Sequence, residues 1–129
     1  MSEISFQFYR GLLYLPISLV QNGGELILKS CIFDTGSAGT TFDTDEVSKI
    51  GIQSTPQSRL KRLVTVGGYQ TVFTSNVKKL ILGEVVIENI EVEVGNLHSK
   101  FGIQGIIGTD LMRRFDWEIR FSDKVIVLR

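Results

Sequence analysis

Several residue types are scarce in this chain, and each scarcity closes off a class of function. Its 129 residues include one cysteine, Cys31, and one histidine, His98. One thiol cannot make a disulfide framework within a chain, and one Cys with one His cannot assemble the usual four-ligand zinc cage. No metal site and no cofactor is expected. Lys plus Arg equals 14 and Asp plus Glu equals 14, so the formal net charge is zero. The basic excess that phosphate neutralisation needs is missing, and a nucleic-acid partner is not expected. No stretch reaches the ~18 apolar residues of a membrane span. Residues 1–10 lack the basic start and apolar run of a secretory signal. The expectation is a soluble, cytoplasmic chain with no membrane partner.

Alanine is nearly absent too, with Ala38 alone, against 14 Ile, 12 Val and 9 Thr. Helical proteins use Ala heavily, whereas β-branched side chains suit a pleated, half-buried surface. With 13 Gly for turns and two Pro, an all-β domain over residues 1–129 with one or two short helices is expected. At this length it buries enough surface to stand without staples.

The pattern along the chain fits. Ile4, Phe6 and Phe8 alternate as a first strand. Residues 12–20 form a second, in which Pro16 marks an edge or a bulge. Asn22-Gly23-Gly24 is a hairpin turn, because these residues tolerate positive φ. Residues 26–33 form a buried strand that runs into Asp34-Thr35-Gly36-Ser37. Asp43 with Glu46 fits a capping box for a helix over 44–50 that stops at Gly51. Strands are predicted at 63–66, 69–73, 77–82, 85–90 and 90–94, with Gly67-Gly68 as a hairpin tip. Thr109 caps a second helix over 110–115, and residues 117–121 and 124–128 close the chain as a hairpin turning at Ser122-Asp123. A weak repeat links the halves: Ile32-Phe33-Asp34-Thr35-Gly36 and Ile106-Ile107-Gly108 each place two apolar residues before a glycine turn and a short helix.

Asp34-Thr35-Gly36 carries the sharpest chemical signal. The strand fixes the carboxylate, Thr35 bonds locally and Gly36 permits a tight turn. In context, residues 31–38 resemble the active-site strand and loop of aspartic proteases. Ile106-Ile107-Gly108 before a helix looks like the family's second hallmark, and Val66-Gly67-Gly68-Tyr69 is similar to the glycine tip of a retropepsin flap. Residues 12–128 thus resemble a single-domain, retropepsin-like aspartic protease: a β-barrel built from two similar halves.

The resemblance implies an aspartic endopeptidase acting on a peptide or protein substrate. Two carboxylates sharing a proton activate a water in that family. One triplet per chain implies a homodimer, whose two-fold axis brings two copies of Asp34 together. By the same resemblance Asp34 is the catalytic carboxylate and Thr35 bonds its counterpart in the partner chain. The Gly36 N–H bonds the carboxylate, and the Ser37 hydroxyl stabilises its ionised form. Gly67 and Gly68 hold an extended substrate, and Tyr69 either lines the pocket or packs in the core. Retroviral enzymes pair an Arg after the second glycine with an acid after the triplet; Thr109 and Ala38-Gly39 stand there instead. The alternative is a catalytically silent retropepsin-fold binding or dimerisation module.

Other candidates weigh less. Residues 43–46 are read as a helix cap before a cation site. His98 with Ser99 or Ser37 lacks the G-x-S-x-G elbow of a serine hydrolase. Cys31 is read as a buried, inert thiol. Arg59, Lys61, Arg62, Lys78 and Lys79 are read as solvated; the alternative for 59–62 is a selector of acidic substrates.

Overall fold

The computed structural model describes residues 1–65, 68–98 and 102–129. In chain order the strands are β1 (Ser2–Ser5), β2 (Gln7–Tyr9), β3 (Leu12–Gln21), β4 (Gly24–Phe33) and β5 (Thr41–Asp43). Helix α1 (Thr44–Val47) runs into a single 3-10 turn at Ser48–Ile50. Then come β6 (Leu60–Thr65), β7 (Gly68–Leu82), β8 (Val85–Gly95) and β9 (Gly105–Ile107). Helix α2 (Thr109–Met112), β10 (Trp117–Arg120) and β11 (Val125–Leu128) complete the chain. No helix among the described residues is long and apolar enough to cross a membrane.

The class is all-β, as the β-branched composition implies. Eight strands pair in the order β2-β3-β4-β9-β5-β8-β7-β6, and an added β3–β7 pairing closes β3, β4, β9, β5, β8 and β7 into a barrel. Its interior is filled by Leu15, Ile17, Leu19, Leu28, Phe42 and Leu80, all at most 1% exposed. Beside it stands a three-stranded sheet, β1-β11-β10, whose central strand buries Ile126 and Leu128. The two repeat segments lie side by side: β4 and β9 pair in parallel, with Ile32 opposite Ile106 and Phe33 opposite Ile107. Parallel pairing brings both glycine turns to the same end of the barrel.

Local signals held where the chemistry is local. Asn22 and Gly23 take φ of 52° and 75° in the β3–β4 turn. The β3–β4 register shifts between Leu15 and Ile17, so Pro16 sits at a bulge. Asp43 caps α1, accepting from the N–H groups of Asp45 and Glu46, and Gly51 ends the turn at φ 77°. The capping box is one-sided, because the Glu46 carboxylate bonds Lys49 and the Asp43 N–H donates to Gln104 O.

Other boundaries differ. The Ile4-Phe6-Phe8 alternation breaks after Phe6, whose N–H donates to Lys124 O. The chain there leaves the small sheet for the barrel, so Phe8 is exposed against the Phe121 ring. Residues 69–82 are one strand, and so are 85–95, because long β7–β8 pairing carries the polar 74–76 segment through. Helix α2 is shorter than expected: Gly108, not Thr109, is its cap, and it makes no side-chain cap bond.

Candidate active site

Asp34 directly follows β4, and its N–H donates to Ile107 O on the neighbouring β9 (3.0 Å). The parallel strand pair therefore fixes the backbone from which the carboxylate projects. Asp34 is half-buried and Thr35 and Gly36 are exposed. The Gly36 N–H donates to Asp34 Oδ1 (2.8 Å) and the Ser37 N–H to Asp34 O (3.2 Å), which closes a tight turn around the carboxylate. A Cβ at Gly36 would stand 3.1 Å from that oxygen. The Ser37 hydroxyl donates to Gly39 O (2.9 Å), so its single hydrogen is committed there and not to Asp34.

Behind the turn, the loop is clamped by groups that no local motif announces. Asp110 on α2 accepts from the Thr40 N–H (3.1 Å) and from Thr40 Oγ1 (2.7 Å), and that hydroxyl oxygen accepts from the Gly108 N–H (3.1 Å). The Thr109 N–H donates to Ser37 O (2.8 Å). At Gly108 a Cβ would lie 2.6 Å from Gly39 O and 2.8 Å from Ser37 O, so only glycine lets the two turns touch. The place where an Arg-acid pair was missing from the sequence thus holds an acid of the opposite turn, bonded to backbone and hydroxyl.

A pocket of about 520 Å³ is lined by Ile32, Ile103, Ile106, Leu97, Tyr69 and His98, among others. Ile32 and Ile106 are paired neighbours at the base of the two turns. Tyr69 is 72% exposed and not in the core; the Arg62 guanidinium lies 5.0 Å from its ring centre. Gly68 opens β7 at φ 123°, opposite Thr65. Gly67, Val66 and Ser99 lie outside the described residues.

The remaining candidates resolve simply. Cys31 is fully buried and burial pushes its thiol up to about 12, which leaves it inert. Asp43 is spent as a cap and on the Leu97 N–H, and no cluster of metal-ligating side chains occurs among the described residues. Arg59 and Lys61 are solvent-exposed, as read, and each is also ion-paired, to Glu91 and Glu93 respectively.

A family model for aspartyl proteases matches residues 20–111, from the end of β3 through the second turn into α2. The chain belongs to the aspartyl protease family. A search of curated proteins finds no match. Among solved structures, the chain is similar to a retropepsin-like aspartic protease from Rickettsia conorii. That likeness has a TM-score of 0.68 at 18% identity, over 98% of this chain and 89% of the other. It establishes the retropepsin-like fold of this member of the aspartyl protease family.

Proposed function

We propose that the chain is an aspartic endopeptidase that works as a homodimer. One observation carries this reading: of the two paired turns, the first holds a carboxylate, Asp34, bonded among the described residues only by the Gly36 N–H of its own turn, while the second carries Gly108 and spends Asp110 on Thr40. General acid–base attack by water needs one ionised and one protonated carboxyl. A two-fold axis beside Asp34 supplies the second from another copy. One Asp34 then takes a proton from water as it attacks the scissile carbonyl, and the other protonates the carbonyl oxygen. As the C–N bond breaks, the first gives its proton to the leaving amine and the second takes one back from a hydroxyl of the diol. The exposed Thr35 sits beside this axis, where it meets its counterpart. The β6–β7 hairpin acts as the flap, with Gly67 and Gly68 offering backbone groups to an extended peptide. The pocket lined by Ile32, Ile106 and Tyr69 takes an apolar side chain.

Dilution tests the shared site. Well below the dimer dissociation constant, specific activity against a peptide library falls in proportion to protein concentration; well above it, specific activity is constant. Excess Asp34→Asn chain poisons the wild type by forming heterodimers with one competent carboxyl. A species that sediments as a monomer at assay concentration and still cleaves peptides defeats the reading. Tight binding of a pepstatin-type transition-state mimic separates the enzyme from a silent binding module.

A further inference from the structure

Glu93 is an unusual residue in this barrel: a carboxylate on β8 that is only 5% exposed. Its Oε1 accepts from Lys61 Nζ (2.8 Å) and its Oε2 from Thr41 Oγ1 (3.2 Å), while its N–H donates to Thr40 O (3.0 Å). The same carboxylate fills the space a side chain at position 39 would occupy, since a Cβ on Gly39 would land on it. Gly39 and Thr40 belong to the loop that Asp34 opens, and Gly39 O also receives the Ser37 hydroxyl. Lys61 lies on β6, the outer strand of the hairpin that bears Gly68 and Tyr69, and reaches Glu93 across the intervening β7. One buried carboxylate therefore touches the back of the Asp34 loop and the base of the hairpin at once. Burying a charge is costly unless it is paired and hydrogen-bonded. Here Lys61 of the hairpin supplies the opposite charge, and Thr41, which opens β5 directly after the Asp34 loop, supplies a hydrogen bond.

We propose that Glu93 is a positioning residue for Asp34, and that the Lys61–Glu93 pair ties the β6–β7 hairpin to the catalytic loop so that the two hold one relative arrangement. This rests on the endopeptidase reading for its kinetic consequence, but its structural consequence is independent of activity. The hydrogen bond to Glu93 and its charge raise the pKa of Lys61 above the ordinary lysine value.

The test uses the full chain with Lys61→Met, Glu93→Gln, the double variant and Lys61→Arg. Two readouts are taken: amide hydrogen exchange at Ser37, Thr40 and Gly108, with Ile126 in the small sheet as control, and kcat and KM on a peptide that the wild type cleaves. Each uncharged single variant should exchange about tenfold faster at the loop amides, with Ile126 unchanged. Its kcat should fall about tenfold with KM within twofold, since small misplacements of reacting groups cost rate before binding. Lys61→Arg should recover most of the rate. The double variant should regain the thermal stability lost in Lys61→Met, because no unpaired buried charge remains, yet should keep the low kcat. Loop exchange and kcat within twofold of wild type in both single variants would overturn the proposal. So would a kcat that returns with stability in the double variant, which marks a merely structural pair. If the wild-type dimer cleaves nothing, the endopeptidase reading fails, and loop exchange alone judges the tie: faster exchange supports it and unchanged exchange overturns it.

Discussion

The two turns that end β4 and β9 are built to one plan and used for opposite purposes. Both follow two apolar residues on paired parallel strands, and both precede a short helix. At the first, the half-buried carboxylate of Asp34 meets one backbone N–H of its own turn. At the second, the corner is a glycine pressed against Ser37 O and Gly39 O, and the nearest acid, Asp110, is bonded by both the Thr40 N–H and the Thr40 hydroxyl. Chemistry needs an available carboxylate, whereas support needs satisfied ones. On the proposed homodimer reading, dividing the tasks leaves each chain with half a site.

Exchanging the losses should break this contrast most plainly. Asp34→Asn should lower peptide turnover by about 10⁴-fold, the upper range for a general acid–base group, without loss of thermal stability. Asp110→Ala should do the reverse. It leaves the Thr40 N–H and hydroxyl, 1% exposed, without an acceptor, at a cost of about 1–3 kcal/mol in urea unfolding. Equal stability losses in the two variants would erase the distinction between the turns.

The glycines sharpen it next. Gly108→Ala drives a methyl into two backbone oxygens that cannot swing aside, and should cost about 1–3 kcal/mol by the same measurement. Gly36→Ala meets only the Asp34 carboxylate oxygen and should stay within about 0.5 kcal/mol, with its effect falling on turnover. A Gly36→Ala protein less stable than Gly108→Ala would reverse the assignment of supporting turn.

The smallest effect lies beneath the turns, where Cys31 on β4 faces Gly105 on β9, and a Cβ there would stand 2.8 Å from its sulfur. Burial raises the folded thiol from 9.0 to about 12. Its neutral form is favoured by folding, so this contribution to stability is full below pH 9.0 and fades as pH climbs toward about 12. Iodoacetamide at pH 9 should label the unfolded chain and spare the native one, with turnover unchanged. Rapid labelling of the native protein would show that the strand pair opens.

What the sequence disclosed was what short stretches decide for themselves. Asn22-Gly23 turns, Asp43 caps and Asp34-Thr35-Gly36 closes on itself because each bond spans at most three residues. The clamp escaped because Thr40 and Asp110 are 70 residues apart, and Glu93 lies 52 from Thr41 and 32 from Lys61. Closure of the barrel brings these groups together, and no residue pattern near Glu93 separates it from the exposed Glu91 two places earlier. Thr74-Ser75-Asn76 likewise looks like a break until β8 supplies Val92 and its neighbours as partners.

The small sheet adds a mechanical property. Ser2 stands opposite Leu128, so the two ends of this domain leave the same edge of one antiparallel pair. Tension applied through those ends acts along the β1–β11 hydrogen bonds, which lie across the strands, and loads them one after another instead of all together. Such a joint peels like a zipper and offers little resistance. Under load the domain gives way first at this sheet, and the barrel that carries Asp34 feels the force only after β1 has been stripped away.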